Sequence, residues 1–191
     1  VAGVHGKTTT TALIAAMLVG LSLLTWPVFN SAAHTWPNGS PDFYGGCHEA
    51  ILSLPTDPNG GTPLTFSNND DGYVQVTLAG GAHVYLYGTA YTTFYVGTNG
   101  YITFTSGDTT YTASYGAHFN QPRISALFRD LNVTSGGTVS WKQLADRAVV
   151  TWLNVPCYSG CGANTFQIEL FFNGQININY LGLAATDGLA G

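Results

Sequence analysis

Charge is what this chain has least of. Only 8% of its 191 residues are Asp, Glu, Lys or Arg, against roughly 25% in an average soluble domain. Five basic and ten acidic residues give a formal net charge of −5 at pH 7. The basic residues form no cluster, so a surface that neutralises nucleic-acid phosphates is not expected. Cysteine is scarce, with three residues, and methionine occurs once. No G-x-S-x-G elbow, D-x-D-x-D-G calcium loop or C-x-x-C pair occurs. Long apolar runs are missing apart from one near the start. What is abundant is glycine (24), tyrosine (11) and phenylalanine (10), with Thr, Asn and Ser at the polar positions. Such a surface draws its solubility from hydroxyls and amides, as secreted β-proteins commonly do.

The apolar run falls within residues 1–33. Lys7 gives a positive start, Thr11 to Leu24 an apolar stretch, and Asn30-Ser31-Ala32-Ala33 small residues for cleavage. This is the pattern of a helical export segment, whose apolar part runs to about 7–15 residues. A membrane span needs about 20 apolar residues, and Pro27 interrupts the run here. Gly3-Val4-His5-Gly6-Lys7-Thr8-Thr9-Thr10 also resembles the phosphate loop of the Mur ligase family, where backbone N–H groups and the lysine cradle ATP phosphates. A Mur ligase would continue into alternating strands and helices, and nothing after Val28 does. The export reading is preferred, and the chain is read as a fragment of a longer protein.

Residues 34–66 are rich in Pro, Gly, Asn and Asp and read as an N-terminal arm, with one short strand at 64–66. Beyond Asp71 the period of two that marks half-buried strands takes over. Val74, Val76 and Leu78 alternate with Tyr73, Gln75 and Thr77; Val84 and Leu86 alternate with His83, Tyr85 and Tyr87. Phe94 and Val96 lead to the turn signal Asn99-Gly100, and Ile102 and Phe104 return from it. Trp141, Trp152, Phe166, Ile168 and Leu170 fall on apolar faces, with Gln167, Glu169 and Asn177 on the opposite, outward ones. A second turn follows at Asn173-Gly174. About eight strands and no convincing helix after residue 34 predict an all-β, antiparallel two-sheet sandwich over 67–191.

Several stretches together resemble nidogen-like (NIDO-type) extracellular domains. They are YGTAYTTFYVGTNGYITF from Tyr87, ISALFRDLN, AVVTWLNVP, NTFQIELFFNGQININY and the closing TDGLAG. The resemblance covers about residues 67–191. It is closer to the bacterial form of the module, found in multidomain surface proteins and beside subtilisin-like proteases. It implies adhesion or domain display, not catalysis, with an accessory role beside a secreted hydrolase as the alternative. Relatives tend to carry an acidic residue where this chain has Arg129, next to Asp130, and that would weaken any cation site there.

Few residues suggest chemistry. Cys157 and Cys161 flank Tyr-Ser-Gly, so a local disulfide is the leading reading, with zinc as the alternative. Cys47 is then left over. Asp130 and Asn132, with Asp70 and Asp71, are weak calcium candidates that serve equally as turn residues. His5, His34, His48, His83 and His118 show no metal spacing, and no cofactor is expected. A carboxylate pair for glycoside hydrolysis would have to come from Glu49, Asp108, Asp130, Asp146 or Glu169. The candidate binding face is the tyrosine set Tyr73, Tyr85, Tyr87, Tyr95 and Tyr101, suited to an extracellular protein, a carbohydrate or a neighbouring domain. The expected location is secreted or cell-surface, with membrane contact only through the export segment.

Overall fold

A computed structural model of the chain describes residues 51–191. The export segment, the phosphate-loop-like stretch, most of the arm, Cys47, His5, His34, His48 and Glu49 lie outside the described residues.

The turn-rich entry contributes β1 (Thr62–Pro63), displaced from the 64–66 strand expected from sequence. Pro63 cannot donate to a ladder, so it suits the edge position it takes beside β8 (Thr138–Gln143). The five-stranded sheet runs β1-β8-β9-β10-β11, where β9 is Arg147–Pro156, β10 Ala163–Phe171 and β11 Ile176–Gly182. The second sheet has the order β2-β5-β6-β7, from Tyr73–Thr77, Thr93–Gly97, Tyr101–Thr103 and Arg123–Ser125. A small hairpin pairs β3 (Val84–Leu86) with β4 (Thr89–Tyr91). All pairings between these strands are antiparallel. At 189–191 the chain adds one more extended segment along β7, through Ser125–Gly191 and Phe128–Leu189 backbone bonds.

The alternating apolar positions meet between the sheets. Ala148, Val150, Trp152, Phe166, Ile168 and Leu170 pack on Val76, Phe94, Val96, Ile102, Phe104 and Ile124, all buried. The Trp152 and Phe166 rings stack at 5.0 Å. Trp152 Nε1 donates to the carbonyls of Gly97 and Thr98 at 3.3 and 3.2 Å, tying one sheet to the other. Trp141 faces the same way but is only partly buried at the margin of this core. Gly100 closes the β5–β6 turn at φ 76°, and a Cβ there would sit 2.1 Å from the Leu127 carbonyl oxygen. Both its backbone conformation and its surroundings therefore require glycine.

Two expectations need correction. A short helix, α1 (Tyr115–His118), does form, capped by Ser114, whose Oγ accepts from the Ala117 N–H. A 3₁₀ turn follows at Val133–Ser135. The outward positions Gln167 and Glu169 are fully buried. The chain at Thr56 crosses the outer face of the five-stranded sheet and covers them. Gln167 Oε1 accepts from Thr56 N at 3.2 Å, Gln167 Nε2 donates to Thr56 O at 2.8 Å, and the Thr56 hydroxyl donates to Glu169 at 2.6 Å. Lys142 bonds the carbonyls of Asp57 and Asn59 and anchors the same crossing.

Candidate functional site

Four groups of residues could carry function, and each is built by a different part of the fold.

The first is the tyrosine set, which does not form one face. Tyr73 and Tyr95 lie edge to face on the four-stranded sheet, their ring centroids 6.0 Å apart. Tyr85 and Tyr87 belong to the β3–β4 hairpin. Tyr101 is only 1% exposed, a correction to its expected place on an accessible surface. The loop 105–122 folds over its ring, and its hydroxyl donates to the carbonyls of Asp108 and Thr110 at 3.1 and 2.9 Å. Burial raises its pKa, with the Asp108 charge adding to the effect.

Beneath that loop sits a second, polar interior that the sequence reading missed. The buried Arg123 guanidinium lies over the rings of Tyr101 and Phe128, at 4.3 and 4.9 Å from their centroids. It pairs with Asp108 and reaches Asn120 Oδ1 at 3.2 Å. Burial pushes the Asp108 carboxyl up, but Thr110, through hydroxyl and backbone N–H, and Arg123 outweigh it and hold the group low. His118 Nδ1 lies 3.0 Å from Ser125 Oγ. Burial, helped by Arg123, lowers the histidine pKa. Ser125 is completely buried, so this Ser–His pair fastens α1 to β7. An arginine among so few charges, set in the apolar run Arg-Ile-Ser-Ala-Leu-Phe, was the available signal.

The third group gathers carboxylates from two loops that are distant in sequence. Asp70, Asp71 and Asp130 place one oxygen each within 4.8 Å of one another. The turn before β2 supplies the first two, and the Asn99-Gly100 turn binds them to the third. Asn99 Nδ2 donates to Asp71 at 2.9 Å, while its Oδ1 accepts from Leu131 N at 2.8 Å. Asp70 Oδ1 is buried without a hydrogen-bond partner among the described residues. Burial raises the pKa of Asp70, and Asp71 adds to it; burial and then Asp71 and Asp70 raise that of Asp130, against the opposing Arg129. These are hard oxygen ligands, but three carboxylates fill only part of the six to eight positions calcium takes. The Asn132 side chain accepts from Ser135 N at 3.2 Å and caps the 3₁₀ turn.

The fourth is the cysteine loop. Cys157 and Cys161 form a disulfide with Cα atoms 5.2 Å apart, which decides against zinc at these residues. Arg129 Nε donates to Cys157 Sγ at 3.0 Å, Nη2 bonds Ser159, and Nη1 pairs with Asp187. Arg129 therefore clamps the disulfide loop to the closing segment. Buried Asn164 reinforces this: its amide nitrogen donates to Val155 O at 2.9 Å, and its oxygen accepts from Ala184 and Ala185 N at 3.0 and 2.9 Å. Among the other carboxylates, Glu169 is enclosed by Thr56, Arg147, Asn177 and Asn179, and Asp146 pairs with Arg147.

Comparison with curated proteins and with solved structures gave no match. A family model described as NIDO related matches residues 53–190. The match takes in both sheets, the Asn99-Gly100 turn, the disulfide loop and the closing Asp-Gly-Leu segment that Arg129 holds. The chain belongs to the NIDO-related family.

Proposed function

We propose that this chain is a non-catalytic extracellular module, serving adhesion or the display of neighbouring domains in a secreted or cell-surface protein. The observation that carries this reading is how its polar side chains are used. Gln167 and Glu169 hold the Thr56 crossing, Arg123 and Asp108 hold the loop 105–122, and Ser125 and His118 hold α1. These six side chains, several of them of the kind that could attack or protonate a substrate, are hydrogen-bonded or ion-paired in the interior. The disulfide and the NIDO-related family support an extracellular setting, since such bonds persist where the surroundings oxidise thiols. Exposed tyrosines and amides supply a contact surface with little charge to repel a partner.

The test is to coat beads with the full chain and measure their retention on cells of the source organism. A panel of peptide, ester and glycoside substrates is assayed in parallel. Retention without turnover is expected. Turnover that tracks the purified chain, or beads that pass as freely as uncoated ones, would contradict the reading.

A further inference from the structure

The Cys157–Cys161 bond has two unlike ends. Cys157 is 2% exposed and belongs to the core, while Cys161 is only partly buried against it. Tyr158, inside the loop that the bond closes, is 62% exposed. The charged donor stands at the buried end, where Arg129 Nε donates to Cys157 Sγ at 3.0 Å. Asn164 Nδ2 lies 3.8 Å from Cys157 Sγ and 3.7 Å from Cys161 Sγ, so it does not distinguish the two.

The Arg129 clamp on Asp187 and Ser159 uses Nη1 and Nη2, and Nε is the nitrogen turned to the sulfur. The Arg129 side chain is 20% exposed and that of Asp187 70%. The counter-charge is thus mostly in water, and the guanidinium acts on Cys157 Sγ with less screening than an open surface gives. Exchange of a disulfide proceeds by attack of a thiolate on one sulfur while the other departs as a thiolate. It is favoured where the attacked sulfur can be reached and the departing one is stabilised as an anion, as beside an arginine. Here both conditions select the same direction: Cys161 is the end that can be reached, and Cys157 would depart beside a cation.

We propose that Cys161 is a covalent acceptor site for a low-molecular-weight thiol, with Cys157 as the leaving group and Arg129 as the residue that stabilises its departure. The thiol gives its proton to solvent, and its sulfur bonds to Cys161 Sγ as the Cys157–Cys161 bond breaks. The electron pair of the broken bond stays on Cys157 Sγ, so one disulfide replaces another without net oxidation or reduction. Return attack by the Cys157 thiolate on Cys161 expels the thiol and closes the loop again, which makes the attachment reversible. The site goes beyond the adhesive reading and does not depend on it.

The experiment exposes the full oxidised chain, carrying Cys47→Ser so that only one disulfide takes part, to 2-mercaptoethanol. Samples taken at short times are quenched with an alkylating reagent, which caps the freed sulfur, and mapped by mass spectrometry. The expected product carries the thiol on Cys161 and the alkyl group on Cys157. Two variants separate charge from clamping. Arg129→Gln removes the cation at Cys157 and should react about tenfold more slowly. Asp187→Asn loosens the same clamp but keeps the cation, and should react at least as fast as the parent. Thiol found on Cys157, no adduct at all in the parent, or an Arg129→Gln that reacts as fast as the parent or faster would overturn the proposal. The position of the adduct decides even if Arg129→Gln does not fold.

Discussion

Trp152 is the side chain on which the two sheets most depend. It is fully buried, stacks on Phe166, and its indole N–H reaches the opposite sheet. Trp152→Ala should cost about 3–5 kcal/mol, the range for a large buried aromatic. Gln167→Ala would leave the buried amide and carbonyl of Thr56 unpaired and should cost about 1–3 kcal/mol. Gln75→Ala, on an exposed position of β2, should change stability by no more than about 0.5 kcal/mol. Denaturant melts of the three variants check that order; a Gln167→Ala as mild as Gln75→Ala would deny the Thr56 crossing. His118 adds a pH dependence of known sign. Its folded pKa lies below the ordinary 6.5, so the unfolded chain takes up the proton first. Stability is therefore present above pH 6.5 and declines as the pH falls from there through the folded value. His118→Gln keeps a partner for Ser125 and should remove this component. An unchanged slope between neutral pH and the onset of carboxylate titration would contradict the assignment.

At the scale of elements, the period of two in β2, β9, β10 and β11 is enough to find the strands and their core-facing sides. It identifies two faces without saying which one is wet. Thr151, Gln167 and Glu169 alternate as polar residues should, yet all three are buried because the Thr56 crossing comes from far away in sequence. Tyr101 departs from its expected exposure for a similar reason, since the loop 105–122 folds back over an outward position. The Asn99-Gly100 turn is legible from its dipeptide. The meeting of Asp70 and Asp71 with Asp130 is not, because it depends on two loops converging at one end of the sandwich. The Cys157–Cys161 bond is legible from spacing and glycines; its clamp by Arg129 and Asn164 is not. That bond closes a small loop, so reducing it should cost less than the roughly 3 kcal/mol that chain entropy assigns to a 15-residue loop. Its local effect should be larger: hydrogen exchange at 157–162 and 184–185 should quicken while β9 and β10 stay protected. Uniform loss of protection would show that the bond holds the entire fold instead of this corner.

At the largest scale, the interior formed by the described residues is divided in three. An apolar core lies between the sheets, a polar seam lies beneath the Thr56 crossing, and an arginine-centred cluster lies beneath the loop 105–122. Most of the few charges among the described residues sit at these seams or at the disulfide corner, which leaves a surface of hydroxyls, amides and exposed rings. Such a surface suits a module that meets other molecules outside the cell, and an oxidised Cys157–Cys161 pair belongs to the same setting. The most direct measurement of that claim is to fractionate cells carrying the parent gene and map the non-reduced peptides of each fraction by mass spectrometry. The account predicts that the chain is recovered from the medium or the cell surface with Cys157 bonded to Cys161. A chain confined to the cytoplasm with both thiols free would contradict it.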